Sequence, residues 1–148
     1  MARLHEFQGK SILARHGIAI PRGAPATSGD EAAKIAQSLS GRVVVKIQAW
    51  TTNRKALGGV AFASTPEEAR DHATRMLAMK VGAFPVTHVL VEEMLPIKDE
   101  LFVSLFVDDK ERGPSMLVSL AGGSGIEERA KEGGVARLAC DIQKGPDE

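Results

Sequence analysis

A lysine at the end of an apolar strand is the first residue in this sequence whose placement suggests chemistry. The run Val43–Val45 is rich in β-branched side chains and follows Gly41, so it predicts a buried strand. Lys46 interrupts this run. A buried lysine without a partner is strongly unfavourable, and this position therefore favours an anion at the end of the strand.

A basic segment follows this strand and leads into a second one. Arg54 and Lys55 lie among polar residues, and Gly58-Gly59 precedes the apolar run Val60 to Ala63. The pattern predicts a hairpin whose basic loop folds over a phosphate chain. A lysine that extends to water beside an ordinary cationic loop explains these residues alone slightly better.

A second candidate region joins two later strands. One predicted strand ends on Glu92-Glu93, and after a turn at Pro96 the chain reaches Glu100. An adenine ring would fit the apolar residues between them and the backbone at the strand end, and a carboxylate would bind the ribose hydroxyls. Acidic residues that are simply solvated in a polar connection are the alternative, and this region taken alone favours them. The apolar residues are Met94, Leu95 and Ile97.

A glycine-rich turn, SLAGGSGIEE at residues 119–128, precedes a predicted short helix at Ile126–Lys131. Glycines before a helix can present backbone amides to an anion. A plain tight turn explains the same residues at least as well.

The elements that must position these residues are a mixture of helices and hairpins. The first helix, Leu4 to His16, ends at Gly17, and an extended segment covers Ile18 to Ala26. Two further helices begin with capping boxes, at Ser28 with Glu31 and at Thr65 with Glu68, the second with Pro66 at its first position. Four more strands are predicted at Val89–Met94, Leu101–Val107, Met116–Leu120 and Val135–Ile142. This order predicts an α+β fold with a mostly antiparallel sheet flanked by helices.

The composition limits the classes of protein to which this chain can belong. The chain has 148 residues, enough for a compact core, and 43% hydrophobic with 26% charged residues is typical of a soluble globular protein. Nineteen basic residues balance nineteen acidic ones, which argues against nucleic acid or an anionic membrane surface as a partner. With one cysteine and no apolar run long enough for a membrane helix, we expect a cytoplasmic protein.

Taken together, these segments resemble the N-terminal, nucleotide-binding region of the β subunit of succinyl-CoA synthetase and related ADP-forming acyl-CoA ligases. The resemblance covers nearly the whole chain, with its motifs in the family's order and at near-constant spacing. The motifs are LHEFQGKSILARHGI, VVVKIQA with Gly58-Gly59, LVEEMLPIKDELFVSLFVDD and the glycine pattern at 119–127. It implies the ATP-grasp fold.

The resemblance also implies roles for individual residues. Lys46 would grip the phosphates of ATP or GTP, and the loop with Asn53 and Arg54 would lie near them. Glu92 and the backbone through Leu95 would meet the adenine edge. The ribose would be bound by Glu100.

The loop departs from the family pattern. Relatives have a Gly-Gly-Arg-Gly core, whereas this chain has Thr52-Asn53-Arg54-Lys55, so the backbone is less free to approach phosphates. Side chains of Arg54 and Lys55 would replace that contact. Trp50 stands where the family commonly has a histidine, where it would close over the nucleotide or simply pack.

The family's Mg²⁺ ligands lie beyond residue 148, and its phosphohistidine belongs to a CoA-binding α subunit. No residue here matches a catalytic position, so the sequence predicts no catalytic and no metal-binding residue. We expect residues 1–148 to be a fragment of an ATP-grasp region. Residues 1–20 would form a helix and an extended segment, 21–100 a first subdomain, and 101–148 the incomplete start of a second.

The reaction implied for the full protein is ATP + carboxylate + CoA giving acyl-CoA + ADP + phosphate, which this fragment alone should not catalyse. Two alternatives remain. One is an ATP-grasp ligase that joins a carboxylate to an amine. The other is a degenerate module that keeps the fold for subunit association.

Overall fold

The computed structural model describes residues 3–51, 54–110, 112–120, 122 and 135–146. The chain separates into two compact units, Met1–Leu95 and Pro96–Glu148. The first unit contains three helices, namely α1 (Glu6–Arg15), α2 (Gly29–Leu39) and α3 (Pro66–Leu77). Its described strands are β1 (Gly23–Ala26), β2 (Val43–Ile47), β3 (Val60–Ala63), β4 (Lys80–Val81), β5 (Phe84–Pro85) and β6 (Val89–Glu93).

The main sheet of the first unit has the strand order β1-β6-β2-β3, and every neighbouring pair is antiparallel. The predicted hairpin is therefore confirmed, since β2 pairs with β3 across the basic loop. Strand β6 lies between β1 and β2, although it comes last in the chain. This order places the end of the Glu92 strand beside the Lys46 strand.

Local sequence signals define where α2 and α3 begin, as predicted. The Ser28 side chain accepts a hydrogen bond from the Glu31 amide at 3.2 Å. Thr65 does the same for Glu68 at 3.2 Å, with proline at the start of the helix. These caps satisfy amide groups that a helix leaves without a partner in its first turn.

Alternation along the strands gives the sheet one apolar face. Val43, Val45 and Ile47 of β2 are at most 1% exposed, and their neighbours Val44 and Lys46 point to the opposite face. The helices α2 and α3 cover the apolar face with small residues. The buried helix residues packed there are Ala32, Ala36, Ala69, Ala73 and Met76, and the sheet adds Ala26, Ala63, Val89 and Val91.

The first helix packs differently from the other two. Among its described residues none is buried, and Ile12 and Leu13 remain 37% and 44% exposed. Gly17 has a φ of +79°, which is consistent with the predicted left-handed end of this helix. This helix is therefore held by few apolar contacts.

The second unit contains a sheet of the order β10-β9-β8-β7, antiparallel throughout. Its strands are β7 (Phe102–Asp108), β8 (Gly113–Ser119), β9 (Ala136–Asp141) and β10 (Gly145–Pro146). The turn between β7 and β8 is shorter than predicted because pairing continues to Asp108 and Gly113. The predicted helix at Ile126–Lys131 lies outside the described residues.

The sequence did not predict the two-residue hairpin formed by β4 and β5. It is too short to show the alternation by which strands are recognised. Apart from this hairpin and the terminal β10, the predicted α+β architecture with antiparallel sheets is confirmed.

Candidate functional site

Five charged side chains meet on the face of the first sheet opposite α2 and α3. We call this set the charged cluster; it consists of Glu6, Lys10, Lys46, Arg54 and Glu92. Lys46 Nζ lies 2.5 Å from Glu92 Oε2 and 2.9 Å from Glu6 Oε1. Arg54 Nη1 lies 2.6 Å from Glu6 Oε2. Lys10 contacts both carboxylates, at 3.1 Å for Glu6 and in a shorter contact with Glu92.

The strand register explains why Lys46 and Glu92 meet. Lys46 pairs with Leu90, and Val44 pairs with Glu92, so the lysine and the glutamate are diagonal neighbours on one face. Glu92 is 2% exposed. The interpretation of Glu92 as a solvated acid is therefore wrong, because the β2 strand and α1 enclose it and two lysines neutralise it.

Glu6 and Lys10 come from α1, and the sequence alone did not indicate them as site residues. Their spacing, glutamate followed four residues later by lysine, was the available signal, but it usually indicates only an exposed helix pair. Two polar contacts fix the start of α1. The Gln8 side chain accepts from the His5 amide at 2.8 Å, and Gln48 Oε1 accepts from the Phe7 amide at 3.2 Å.

The basic loop folds back on itself near Arg54. The Gly59 amide donates to the Arg54 carbonyl at 2.8 Å, and Gly58 has a φ of +71°, which a side chain would disfavour. A Cβ on Gly59 would lie 2.4 Å from Ile47 Cδ1 and 2.6 Å from Ile47 Cγ1, so a side chain there would displace the buried Ile47. Arg54 thereby reaches Glu6, which also contacts Lys46, whereas Asn53 lies outside the described residues.

The cluster shifts the proton affinities of its members. Burial alone raises the pKa of Glu6, but hydrogen bonds and charges from Lys46 and Arg54 outweigh it and lower that pKa to about 2. Burial lowers the pKa of Lys46, yet hydrogen bonds to Glu92 and Glu6 raise it overall. Both residues are therefore charged at neutral pH.

Two grooves border the charged cluster, one beside Glu6 and Arg54 and the other beside Lys10 and Glu92. A groove of about 710 Å³ is lined by Arg3, Leu4, His5, Glu6, Ala49, Trp50, Thr51 and Arg54. A second groove of about 550 Å³ includes Lys10 and Glu92 in its lining. Lys46 lines neither of these two grooves.

Trp50 lies at the rim of the first groove. Its ring stacks on His5 with centroids 4.9 Å apart and an interplanar angle of 4°. Burial and the neighbouring His88 lower the pKa of His5. Trp50, 49% exposed, meets Phe84 edge-on, and the three rings line a cavity of about 280 Å³.

The residues predicted to contact the base and the ribose fall in different units. Leu95 is 48% exposed at the end of the first unit, next to Met94 at 41%. Glu100 belongs to the second unit, where its carbonyl accepts from the Gly122 amide at 2.6 Å. Glu93 is bound by the Arg22 amide and guanidinium, which lower the pKa of Glu93.

Within the described ranges, no three or more His, Cys, Asp and Glu side chains are grouped in a way that could hold a metal ion. In the same part of the chain, no helix combines the length and apolar character that crossing a membrane requires.

Comparison with known proteins places the chain in a family. The family model described as "ATP-grasp domain" matches residues 3–148. The β1 subunit of the ADP-forming succinate–CoA ligase of Archaeoglobus fulgidus is 48% identical over 128 residues, which is 86% of this chain and 34% of that protein. The β subunit of the GDP-forming succinate–CoA ligase of Thermus thermophilus is 40% identical over 87% of this chain and 34% of its own length. The chain thus spans about a third of these curated relatives.

Solved structures support the fold. The acetyl-coenzyme A synthetase 1 of Ca. Korarchaeum cryptofilum, described as dinucleotide forming and solved with coenzyme A and Ca-AMPCP, matches with a TM-score of 0.78 and 25% identity. The match covers 95% of this chain and 61% of that one. The ATP citrate lyase of Methanothrix soehngenii shares the fold at a TM-score of 0.72, with 22% identity, covering 96% of this chain and 35% of that chain.

Proposed function

The chain belongs to the ATP-grasp domain family, and we propose that it is the nucleotide-binding part of an ADP-forming acid–CoA ligase. Relatives that cover most of the chain at 40–48% identity are named succinate–CoA ligases, which supports this assignment over a carboxylate–amine ligase. Because the chain spans about a third of their length, the complete activity remains part of the proposal.

The observation that carries the proposal is the convergence of three cations on one face. Lys10, Lys46 and Arg54 all lie within 3.1 Å of Glu6, and they come from a helix, a strand and a loop. Phosphoryl transfer asks a protein mainly to neutralise and position phosphate oxygens. We assign Lys46 and Arg54 to the phosphates of ATP or GTP, and place Asn53 beside them.

The remaining nucleotide contacts follow the family resemblance. The strand end from Glu92 to Leu95 would receive the adenine edge, and Glu100 would bind the ribose hydroxyls. The exposed apolar side chains Met94 and Leu95 suit one face of a purine ring. Glu92 would also keep Lys46 oriented, since the two side chains are in direct contact.

The proposed full reaction converts ATP, a carboxylic acid and CoA into acyl-CoA, ADP and phosphate. Its other requirements lie outside this chain, namely the Mg²⁺ ligands and a CoA-binding α subunit with the phosphohistidine. The proposal includes a cytoplasmic location, in keeping with one cysteine in 148 residues.

Thermal unfolding with and without Mg-ATP tests nucleotide binding. Ligand at about a hundred times its dissociation constant adds roughly 2.7 kcal/mol, which raises the Tm by roughly 5–10 °C for a chain of this size. We expect this shift in the wild type and in Lys34→Ala, an exposed lysine on α2 that serves as a matched control. Lys46→Ala should abolish it. No shift at millimolar nucleotide in the wild type, in Lys34→Ala or in Glu6→Gln, which frees Lys46 and Arg54 from the carboxylate they share, would contradict the proposal and favour a degenerate module.

A further inference from the structure

We propose that the Glu6 carboxylate holds the place of a nucleotide phosphate and must leave it when nucleotide binds. This inference rests on the proposed function and adds to it a residue outside the predicted site. Glu6 is thus a positioning residue that keeps Lys46 and Arg54 together and competes with the ligand for them.

The contacts of Glu6 are those that a phosphate would make. One carboxylate oxygen accepts from Lys46 Nζ at 2.9 Å, and the other accepts from Arg54 Nη1 at 2.6 Å. Two oxygens of one anion therefore bridge a strand lysine and a loop arginine. Two oxygens of a phosphate group could accept from the same two donors, because charge-assisted hydrogen bonds to carboxylates and to phosphates are about equally long.

Access to Lys46 also depends on Glu6. The Lys46 side chain is only 19% exposed, while Glu6 lines the larger groove. Glu6 and Arg54 line that groove, whereas Lys46 does not line it and contacts Glu6 instead. A phosphate that reaches Lys46 from there must displace the carboxylate.

Of the two carboxylates in the charged cluster, Glu6 is the one free to move. Glu92 projects from a central strand and its side chain is 3% exposed. Glu6 lies in the first turn of α1, its side chain is 23% exposed, and no described residue of this helix is buried. Because the Glu6 side chain already reaches the surface, a change of its rotamer would release the carboxylate into water.

Charge gives the displacement a direction. Three cations and two carboxylates leave the cluster with one net positive charge, and removal of Glu6 raises this to two. The lowered pKa of Glu6, about 2, keeps it ionised throughout the neutral range. Competition therefore persists at physiological pH and does not depend on a proton.

The test is a calorimetric titration of this chain with Mg-ADP. Glu6→Gln should bind Mg-ADP about tenfold more tightly than the wild type, since it keeps the shape of the side chain and removes the competing charge. Glu6→Ala should change the affinity in the same direction. The gain should shrink when salt is raised from roughly 0.1 M to 1 M, because screening weakens the competition.

A matched control removes a carboxylate elsewhere. Asp30 on α2 pairs with Arg70 on α3 at 2.8 Å and is 76% exposed. Asp30→Asn makes the same change in net charge and should leave the affinity for Mg-ADP unchanged. A gain in Asp30→Asn equal to that in Glu6→Gln would show a general charge effect and overturn the inference.

The possible outcomes separate this inference from the proposed function. Binding by the wild type with equal or weaker binding by Glu6→Gln overturns the inference and leaves the nucleotide site intact. Binding by Glu6→Gln and Glu6→Ala without binding by the wild type supports the inference, because the Glu6 carboxylate of the wild type would then block the site. No binding by any variant overturns both proposals. A misfolded variant cannot imitate a gain in affinity.

Discussion

The two faces of the main sheet in the first unit are built from alternate residues of the same strands, yet one face is apolar and the other is charged. On one face Val45 and Ile47 are fully buried under helices that contribute alanines and a methionine. On the other face Lys46 contacts Glu6 and Glu92 under a helix with no buried described residue. Apolar packing on one face therefore provides most of the stability of this unit. The other face is free to carry charged side chains.

The difference has a physical cause. Burial of apolar side chains stabilises the fold by roughly 25 cal/mol per Å², whereas buried ion pairs gain little after desolvation. The charged cluster is therefore a poor source of stability for the area it covers. Its placement on a rigid sheet is useful for orienting cations toward a ligand.

The largest expected effect is on the apolar face. Val45→Ala should lower the free energy of unfolding by about 2–3 kcal/mol, because it removes two methyl groups from a fully buried position. Its neighbour Val44, half-buried on the charged face, is a matched control, and Val44→Ala should cost about 1 kcal/mol or less. Urea denaturation measures both. Equal losses would contradict the division between the faces.

The next effect concerns the buried carboxylate. Glu92→Gln should destabilise the chain by about 2 kcal/mol, because Lys46 and Lys10 lose a shared anionic partner. Both lysines keep some access to water, which limits the loss. A double-mutant cycle with Lys46→Met, followed by urea denaturation, should give a coupling energy of about 1–3 kcal/mol. A coupling near zero would mean that the pair does not interact in solution.

A smaller effect appears with pH. The folded pKa of Glu6, about 2, lies below the ordinary 4.5, so its contribution is present above about pH 4.5 and is lost as the pH falls toward 2. After a discount for solvent screening we expect about 1–2 kcal/mol. Urea midpoints from neutral to acidic pH should fall more steeply in the wild type than in Glu6→Gln. Parallel curves would show that Glu6 is not paired.

The smallest effect is expected away from both faces. The pair Asp30–Arg70 joins α2 and α3 at the surface, with the two side chains 76% and 50% exposed. Asp30→Asn should change the free energy of unfolding by no more than about 0.5 kcal/mol, which is ordinary for an exposed pair. A change in the urea midpoint as large as that of Glu92→Gln would remove the distinction between enclosed and exposed charges.

Local signals in the sequence were enough to predict most of the fold. The caps at Ser28 and Thr65 and the strand at Val43 are encoded within a few residues, and all three are confirmed. The antiparallel hairpin was equally local. The β4–β5 hairpin was missed because two-residue strands carry no periodic pattern.

The candidate site was only partly predictable. The sequence indicated Lys46 as a residue in need of an anionic partner, and the structure supplies two. It did not identify those partners, because Glu6 is 40 residues away and Glu92 joins the strand only through sheet order. Contacts of this kind depend on tertiary packing, and a helix pair such as Glu6 with Lys10 is indistinguishable in sequence from a surface pair.

The most direct test of nucleotide binding by the charged face is a calorimetric titration with Mg-ATP. It compares the wild type with Lys46→Met and Val45→Ala. We expect Lys46→Met to lose binding while remaining folded, and Val45→Ala to bind with the affinity of the wild type at a temperature where it is folded. Wild-type affinity in Lys46→Met, or an equal loss in folded Val45→Ala, would contradict the claim that the charged face of this sheet binds the nucleotide.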